Sequence, residues 1–396
     1  MPPPDRRETP FLRNVERIFR IEDVTVGDGA QYVVRYRGKL LREDSAAAHE
    51  QLLEELRPAD VAPLFRVEEG RQVIYIVSRS MNVRPSKLWV NLLMFALTVF
   101  FVFMAGAMYG YNGPLPPGAL EQFLFFAQHW YWGWEFGLTL LAILLAHEFG
   151  HYIAARLHNE PVTLPYFIPL PPPIGLFGTM GAVIQMKSPP RNRRNLLDIA
   201  VSGPIAGLVV ALPLLIYGLS ISQLGPVRPN SALEGNSILY LFSKFLVFGR
   251  MLPAPDTYNG VVPALYWLRY FATGHPIPIG GLDVQLSPVA WAAWGGLLVT
   301  ALNLLPAGML DGGHLMYVLI GKRMRALFPF IIAALLLLGL VWSGWWLWAF
   351  ILFFLGRLLD NPLDQITPLD TGRRAVAIFG LVVFFLVFMP VPLIFT

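Results

Sequence analysis

The chain has 396 residues, of which 55% are hydrophobic and only 14% charged, about half the charged share of an ordinary soluble domain. It has no cysteine, so neither a disulfide framework nor a thiolate-ligated metal is available, and the formal charge of +4 comes from basic residues grouped where membrane topology wants them, not from a nucleic-acid-binding face. A polytopic α-helical membrane protein is expected, with about six to seven transmembrane helices, a re-entrant β-hairpin and a small soluble α+β unit at its N-terminus.

Residues 1–87 hold 15 Lys or Arg and 14 Asp or Glu, about half of all the charge. No cleavable signal peptide is visible, because MPPPDRRETPFLRN has charges but no following apolar core. Gln31 to Leu41 reads as a strand, Ser45 to Leu56 as an amphipathic helix, and Pro63 to Arg79 as a hairpin turning at Glu69-Gly70. His49 has no second ligand at metal spacing and reads as a solvated surface residue. Leu88 to Tyr109 is the first apolar span, and Gly113 to Gly133 is an interfacial loop whose His129 is an aromatic-belt anchor.

The second span, Trp134 to Leu157, carries His147-Glu148-Phe149-Gly150-His151. Ionisable groups in hydrocarbon are costly and normally functional. On a helix His147 and His151 are i and i+4 on one face and can share a Zn2+, with Glu148 beside them as a general base. The plainer alternative is a pair of core histidines bonded to nearby backbone.

Pro161 to Pro190 is apolar but too rich in Pro and Gly to span, so it reads as a re-entrant hairpin around Gly178-Thr179-Met180-Gly181. The third span is Leu196 to Leu219, and its Ser202 to Gly207 would admit a close helix. Ser220 to Leu286 is a long loop with amphipathic pieces lying on the membrane surface. The fourth span, Ser287 to Leu305, leads into Asn303-Leu304-Leu305-Pro306 and Asp311-Gly312-Gly313-His314.

A catalytic zinc usually has three protein ligands, and Asp311 is the best third. Its alternative role is a cap on the helix Gly312 to Ile320, and His314 reads as a helix N-terminal residue near the site. Phe328 to Trp342 and Trp345 to Leu359 form a helical hairpin, and Ala375 to Phe395 is the last span. Ten basic residues, Lys187 and Arg357 among them, fall on the side of the N-terminal unit, against Arg228, Lys244, Arg250 and Arg269 opposite. The positive-inside rule then makes the N-terminal side cytoplasmic. Three regions follow: 1–87 soluble, 88–325 core, and 326–396 C-terminal helices.

The residues His147 to His151, Gly178 to Gly181, and Asn303-x-x-Pro306 leading to Asp311-Gly312-Gly313 resemble the site-2 protease family of intramembrane zinc metalloproteases, over roughly residues 134–320. The resemblance implies Zn2+ on His147, His151 and Asp311, water activation by Glu148, and substrate or oxyanion contacts from Asn303, with Gly178 and Gly181 in the substrate hairpin. No inserted PDZ domain is seen, which resembles the branch of chloroplasts and photosynthetic or related bacteria. A bacterial inner (plasma) membrane is the expected location. The expected partners are a transmembrane protein or peptide substrate, the lipid bilayer and a cytoplasmic partner of the N-terminal unit. The rival readings are a zinc membrane hydrolase of another class, a transporter, and a catalytically silent scaffold.

Overall fold

The computed structural model describes residues 10–29, 31–78, 87–229, 231–356 and 361–395. Most of the charged lead, Arg79, and the Arg357 to Leu359 end of the expected hairpin lie outside them.

The N-terminal unit comprises α1 (Leu12–Glu16), β1 (Phe19–Val26), β2 (Val34–Leu40), α2 (Ser45–Leu56), β3 (Val61–Glu68) and β4 (Arg71–Ser78). Its strands form one antiparallel sheet in the order β1-β2-β4-β3. The turn falls at Glu69 and Gly70, with φ of 50° and 79°. Asp44 caps α2 by accepting from the N–H groups of Ala46 and Ala47. The sequence reading missed β1, because an edge strand with one wetted face carries charges at Arg20, Glu22 and Asp23 and shows little alternation.

His49 is a correction. It is 2% exposed, on the face of α2 that carries Ala48, Leu52 and Leu56 into the core, and it meets Phe65 edge-on with ring centroids 5.0 Å apart. Its Nε2 bonds to Pro63 O at 3.0 Å, and burial lowers its pKa from the ordinary value.

The core continues with α3 (Leu88–Gly110), α4 (Ala119–Gln128), α5 (Trp134–Leu157), β5 (Tyr166–Pro169), β6 (Thr179–Val183) and α6 (Arg193–Ser220). It then runs through β7 (Gln223–Pro226), β8 (Ala232–Glu234), α7 (Ile238–Phe248), α8 (Pro263–Thr273), β9 (Leu282–Gln285) and α9 (Pro288–Asn303). The chain ends with α10 (Asp311–Ile320), α11 (Met324–Leu338), α12 (Gly344–Leu355), α13 (Thr371–Val387) and β10 (Leu393–Phe395).

Among the described residues three helices are long and apolar enough to cross a membrane: Leu88–Gly110, Trp130–Leu157 and Arg193–Ser220. The helix α9 has 16 residues and α13 has 17, or about 24 and 26 Å at 1.5 Å per residue. Helices α5, α6 and α9 share one buried core, with Leu140, Leu144, Leu197, Leu215 and Leu297 inside it. Asp198 ties α5, α6 and α13 together, meeting His158 Nε2 at 3.0 Å and Arg373 Nη2 at 2.7 Å.

Three further segments differ from expectation. The loop 113–133 contains α4, since LEQFLFFAQ has no helix breaker; His129 closes it, with Nδ1 bonded to Phe125 O and its ring 4.2 Å from that of Trp132. The helix α7 is turned inside out for a surface helix. Phe242, Phe245 and Leu246 face outward while Tyr240, Ser243 and Lys244 are buried. Lys244 Nζ sits 3.8 Å from Glu234 and 3.7 Å from Asp283, a buried partner of two carboxylates. Finally, α13 stops at Val387 because Pro390 and Pro392 cannot continue it, and β10 instead pairs antiparallel with β8.

Candidate metal centre

The helix α5 brings His147 and His151 to the same side, with relative exposures of 4% and 6%, and α6 lies across them. The crossing is close because the contact residues are small. A Cβ on Gly150 would lie 2.6 Å from Ser202 O, and one on Gly203 would collide with the His151 ring. The third component arrives from the far end of the sequence. Asp311 is the first residue of α10, one position past the N-cap Leu310, and no side-chain cap bond is present. The capping alternative is therefore not what its carboxylate does.

Asp311 Oδ2 lies 3.3 Å from His147 Nε2 and 3.3 Å from His151 Nε2, and the two Nε2 atoms are 3.2 Å apart. His151 Nδ1 is 2.7 Å from Ile199 O; a carbonyl can only accept, so Nδ1 carries the proton, and in the neutral ring Nε2 presents its lone pair to the other two atoms. Three lone-pair donors facing one another repel unless a cation lies between them. Ligands of a tetrahedral zinc at about 2.0–2.1 Å are about 3.3 Å from each other, which is the spacing of this triangle. The three residues fit a zinc ion.

A cavity of about 430 Å³ opens onto the triangle. Glu148, 4% exposed, lines it, as do His314 and Asn303, whose Nδ2 is 3.3 Å from His147 Nε2. The opposite wall is the exit leg of the β5–β6 hairpin, from Ala182 to Met186, and then Pro190. Gly178 and Gly181 do not line it. Gly178, at φ 78°, packs against the α3 backbone at Phe101, and Gly181, at φ 97°, donates its N–H to Thr179 Oγ1 at 3.0 Å. Sequence reasoning did not find Ile199 or the fit of Gly203 on His151. The small residues Ser202, Gly203, Ala206 and Gly207 were the available signal, but nothing local says which helix they receive.

A membrane-embedded H-E-x-x-H helix completed by a carboxylate from a later helix defines a metal-dependent hydrolase built inside the bilayer. Residues 135–342, from α5 through α11, match Peptidase family M50. The chain belongs to that family, the site-2 protease family of intramembrane zinc metalloproteases, and the metal it implies is zinc.

Three relatives agree. The protein named "Probable zinc metalloprotease EGY1, chloroplastic" from Oryza sativa subsp. japonica is 30% identical over 93% of this chain and 63% of its own length. Its namesake from Arabidopsis thaliana is 29% identical over 92% of this chain and 67% of its own. A third, "Probable zinc metalloprotease EGY2, chloroplastic" from Arabidopsis thaliana, is 28% identical over 65% of this chain and 42% of its own length. This chain thus spans about two thirds of the length of the first two. The names of these relatives place them in chloroplasts and give no support to a bacterial inner membrane. No solved structure matches the chain.

Proposed function

We propose that the chain is a zinc-dependent intramembrane endopeptidase that cleaves membrane-tethered proteins within or near their transmembrane segments. The reading is carried by one observation, the triangle of His147, His151 and Asp311 donor atoms beside Glu148 at the end of a cavity. Zinc held by these three residues supplies Lewis acidity, polarising a peptide carbonyl and bringing water toward a pKa of about 7.

The chain's own groups do the rest. Glu148 takes the proton from the attacking water and delivers it to the leaving amine. The Nδ1–H bond from His151 to Ile199 O fixes the ring that presents Nε2, and the Asn303 amide, whose Nδ2 is 3.3 Å from His147 Nε2, donates in this reading to the substrate carbonyl oxygen. A substrate helix hides its amides in its own hydrogen bonds and must unwind before attack; the leg from Ala182 to Met186 offers backbone to hold it extended by strand addition.

In this reading residues 1–87 form the soluble unit, 88–325 the proteolytic core and 326–396 the C-terminal helices. The shorter helices α9, α11, α12 and α13 join the three long ones to make six to seven spans, with the N-terminal unit and the nearer access to the metal on the side rich in Lys and Arg. Regulated intramembrane proteolysis is the process such a site serves. Reconstitution with zinc in proteoliposomes tests it: a tagged single-span substrate is cleaved inside its apolar segment, and failure across a panel of such substrates would count against the proposal.

Two neighbouring positions give sharper expectations. Gly203→Val pushes the His151 ring off the triangle, so zinc affinity falls by about 10–100-fold, the cost of disturbing a ligand's support. Zinc titration measures it, and wild-type affinity in a folded variant would remove α6 from the metal's surroundings. Gly181→Pro cannot adopt φ near 97° or donate to Thr179 Oγ1. Cleavage should fall several-fold with bound zinc unchanged; parallel loss of both would show that the hairpin supports the metal and not the substrate.

A further inference from the structure

The N-terminal unit meets the core along a seam that the proposed chemistry does not use. Between α12 and α13 the chain returns to this face, and residues 363–365 are hydrogen-bonded between two other segments. On one side they lie parallel to β3: Phe65 N–H donates to Leu363 O at 2.9 Å, and Gln365 N–H donates to Phe65 O at 3.1 Å. On the other side Leu363 N–H donates to Pro190 O and Asp364 N–H to Arg191 O, both at 2.8 Å. The β3 edge of the four-stranded sheet is therefore bridged through Asp364 to a second segment at Asn192. That segment is the stretch leaving the β5–β6 hairpin, whose Met186 and Pro190 form part of the cavity wall.

Side chains lock this seam. The Arg66 guanidinium, on β3, donates to Pro362 O at 2.9 Å and to Leu363 O at 2.8 Å. Asp364, fully buried, accepts from the N–H groups of Ile366 and Thr367 at 2.7 and 3.2 Å and from the Thr367 hydroxyl, which shapes the turn that follows. Thr367 Oγ1 is in turn 2.8 Å from Ser45 Oγ at the start of α2. Glu50 on α2 pairs with Arg191 at 2.8 Å. A loosely tethered appendage would touch the core through a few exposed side chains. Here four main-chain hydrogen bonds join the two, so displacing one segment strains or breaks its bonds to the next.

We infer that residues 361–367 are a tie that positions the substrate-side wall of the cavity, and that Arg66 is a positioning residue for substrate acting through that tie. The inference rests on the reading above, in which an unwound substrate lies against the hairpin leg. Arg66 touches neither the metal ligands nor the cavity; it holds the tie, the tie holds Pro190 and Arg191, and these set the leg that runs back to Ala182. The N-terminal unit is then part of the substrate-binding apparatus, not a detachable regulator.

The test uses the full chain, zinc-loaded in proteoliposomes, as wild type, Arg66→Ala and Arg66→Lys. Backbone amide exchange is read alongside cleavage of a single-span substrate. In Arg66→Ala, exchange should rise by roughly 10-fold at Leu363 and Asp364 and also at Gln185 and Lys187, whose amides close the base of the hairpin, as expected for local opening of a shared unit. The α5 amides and zinc per chain should match wild type, KM should rise more than kcat falls, and Arg66→Lys should recover part of both changes. Should Arg66→Ala fail to fold, Thr367→Val, which removes only hydroxyl contacts, carries the same expectation.

Faster exchange confined to residues 363–364, with wild-type hairpin protection and KM, would make the seam simple packing and overturn the inference; unchanged exchange throughout would do the same. If the wild type cleaves nothing, the protease reading fails, and the exchange data still decide by themselves whether tie and hairpin move together.

Discussion

Asp311→Ala is expected to empty the metal site. The wild type should carry about one zinc per chain, and the variant should bind it far more weakly. Structural zinc sites with four ligands bind with about 10–16 kcal/mol, so one ligand is worth about 3 kcal/mol, or roughly a 100-fold change in affinity. Two features of the site make that figure a lower bound. Asp311 brings the negative charge that offsets the cation in a poorly solvated place, and its Oδ2 is the corner of the triangle that spans both histidines. Metal analysis of the two proteins in the same detergent reads the result. Full zinc affinity in a folded Asp311→Ala would place the third ligand elsewhere and separate the α10 motif from the α5 motif.

Glu148→Gln should give the complementary outcome, with zinc retained and turnover lost. Glutamine keeps the shape of the side chain and can still hydrogen-bond water, but it cannot accept a proton. General acid–base catalysis contributes about 10²–10⁴-fold, so cleavage should drop by that order while zinc per chain stays at wild type. Glu148 is no corner of the donor triangle, which is why binding and turnover should separate here and fall together at Asp311. Residual cleavage within a few-fold of wild type would take the base role away from Glu148.

These two variants probe pieces whose legibility in the sequence differs. His147, Glu148 and His151 could be read as one face of a helix from four residues of spacing, because helical periodicity is a local property. Asp311 could be nominated only because a lone carboxylate in an apolar stretch needs a cation; that its Oδ2 meets both rings depends on α9 and α10 returning to α5, more than 150 residues later. His49 was misread, and the pairing of Lys244 was missed, for a related reason. A polar residue in a short helix usually faces water, and only the packed structure shows Pro63 O and Phe65 around the one and Glu234 with Asp283 around the other.

The sequence by itself determined the membrane setting, the charged N-terminal unit, the metal motif and the three long spans. Each of these follows from composition or from a period shorter than two helical turns. Tertiary structure alone decided that Gly203 gives room to His151, that Ile199 O sets the His151 tautomer, that β10 closes on β8, and that residues 363–365 join the N-terminal sheet to the cavity wall. Such contacts pair backbone and small side chains far apart in the chain. Glycine, a carbonyl or an extended segment carries no local sign of what it will touch.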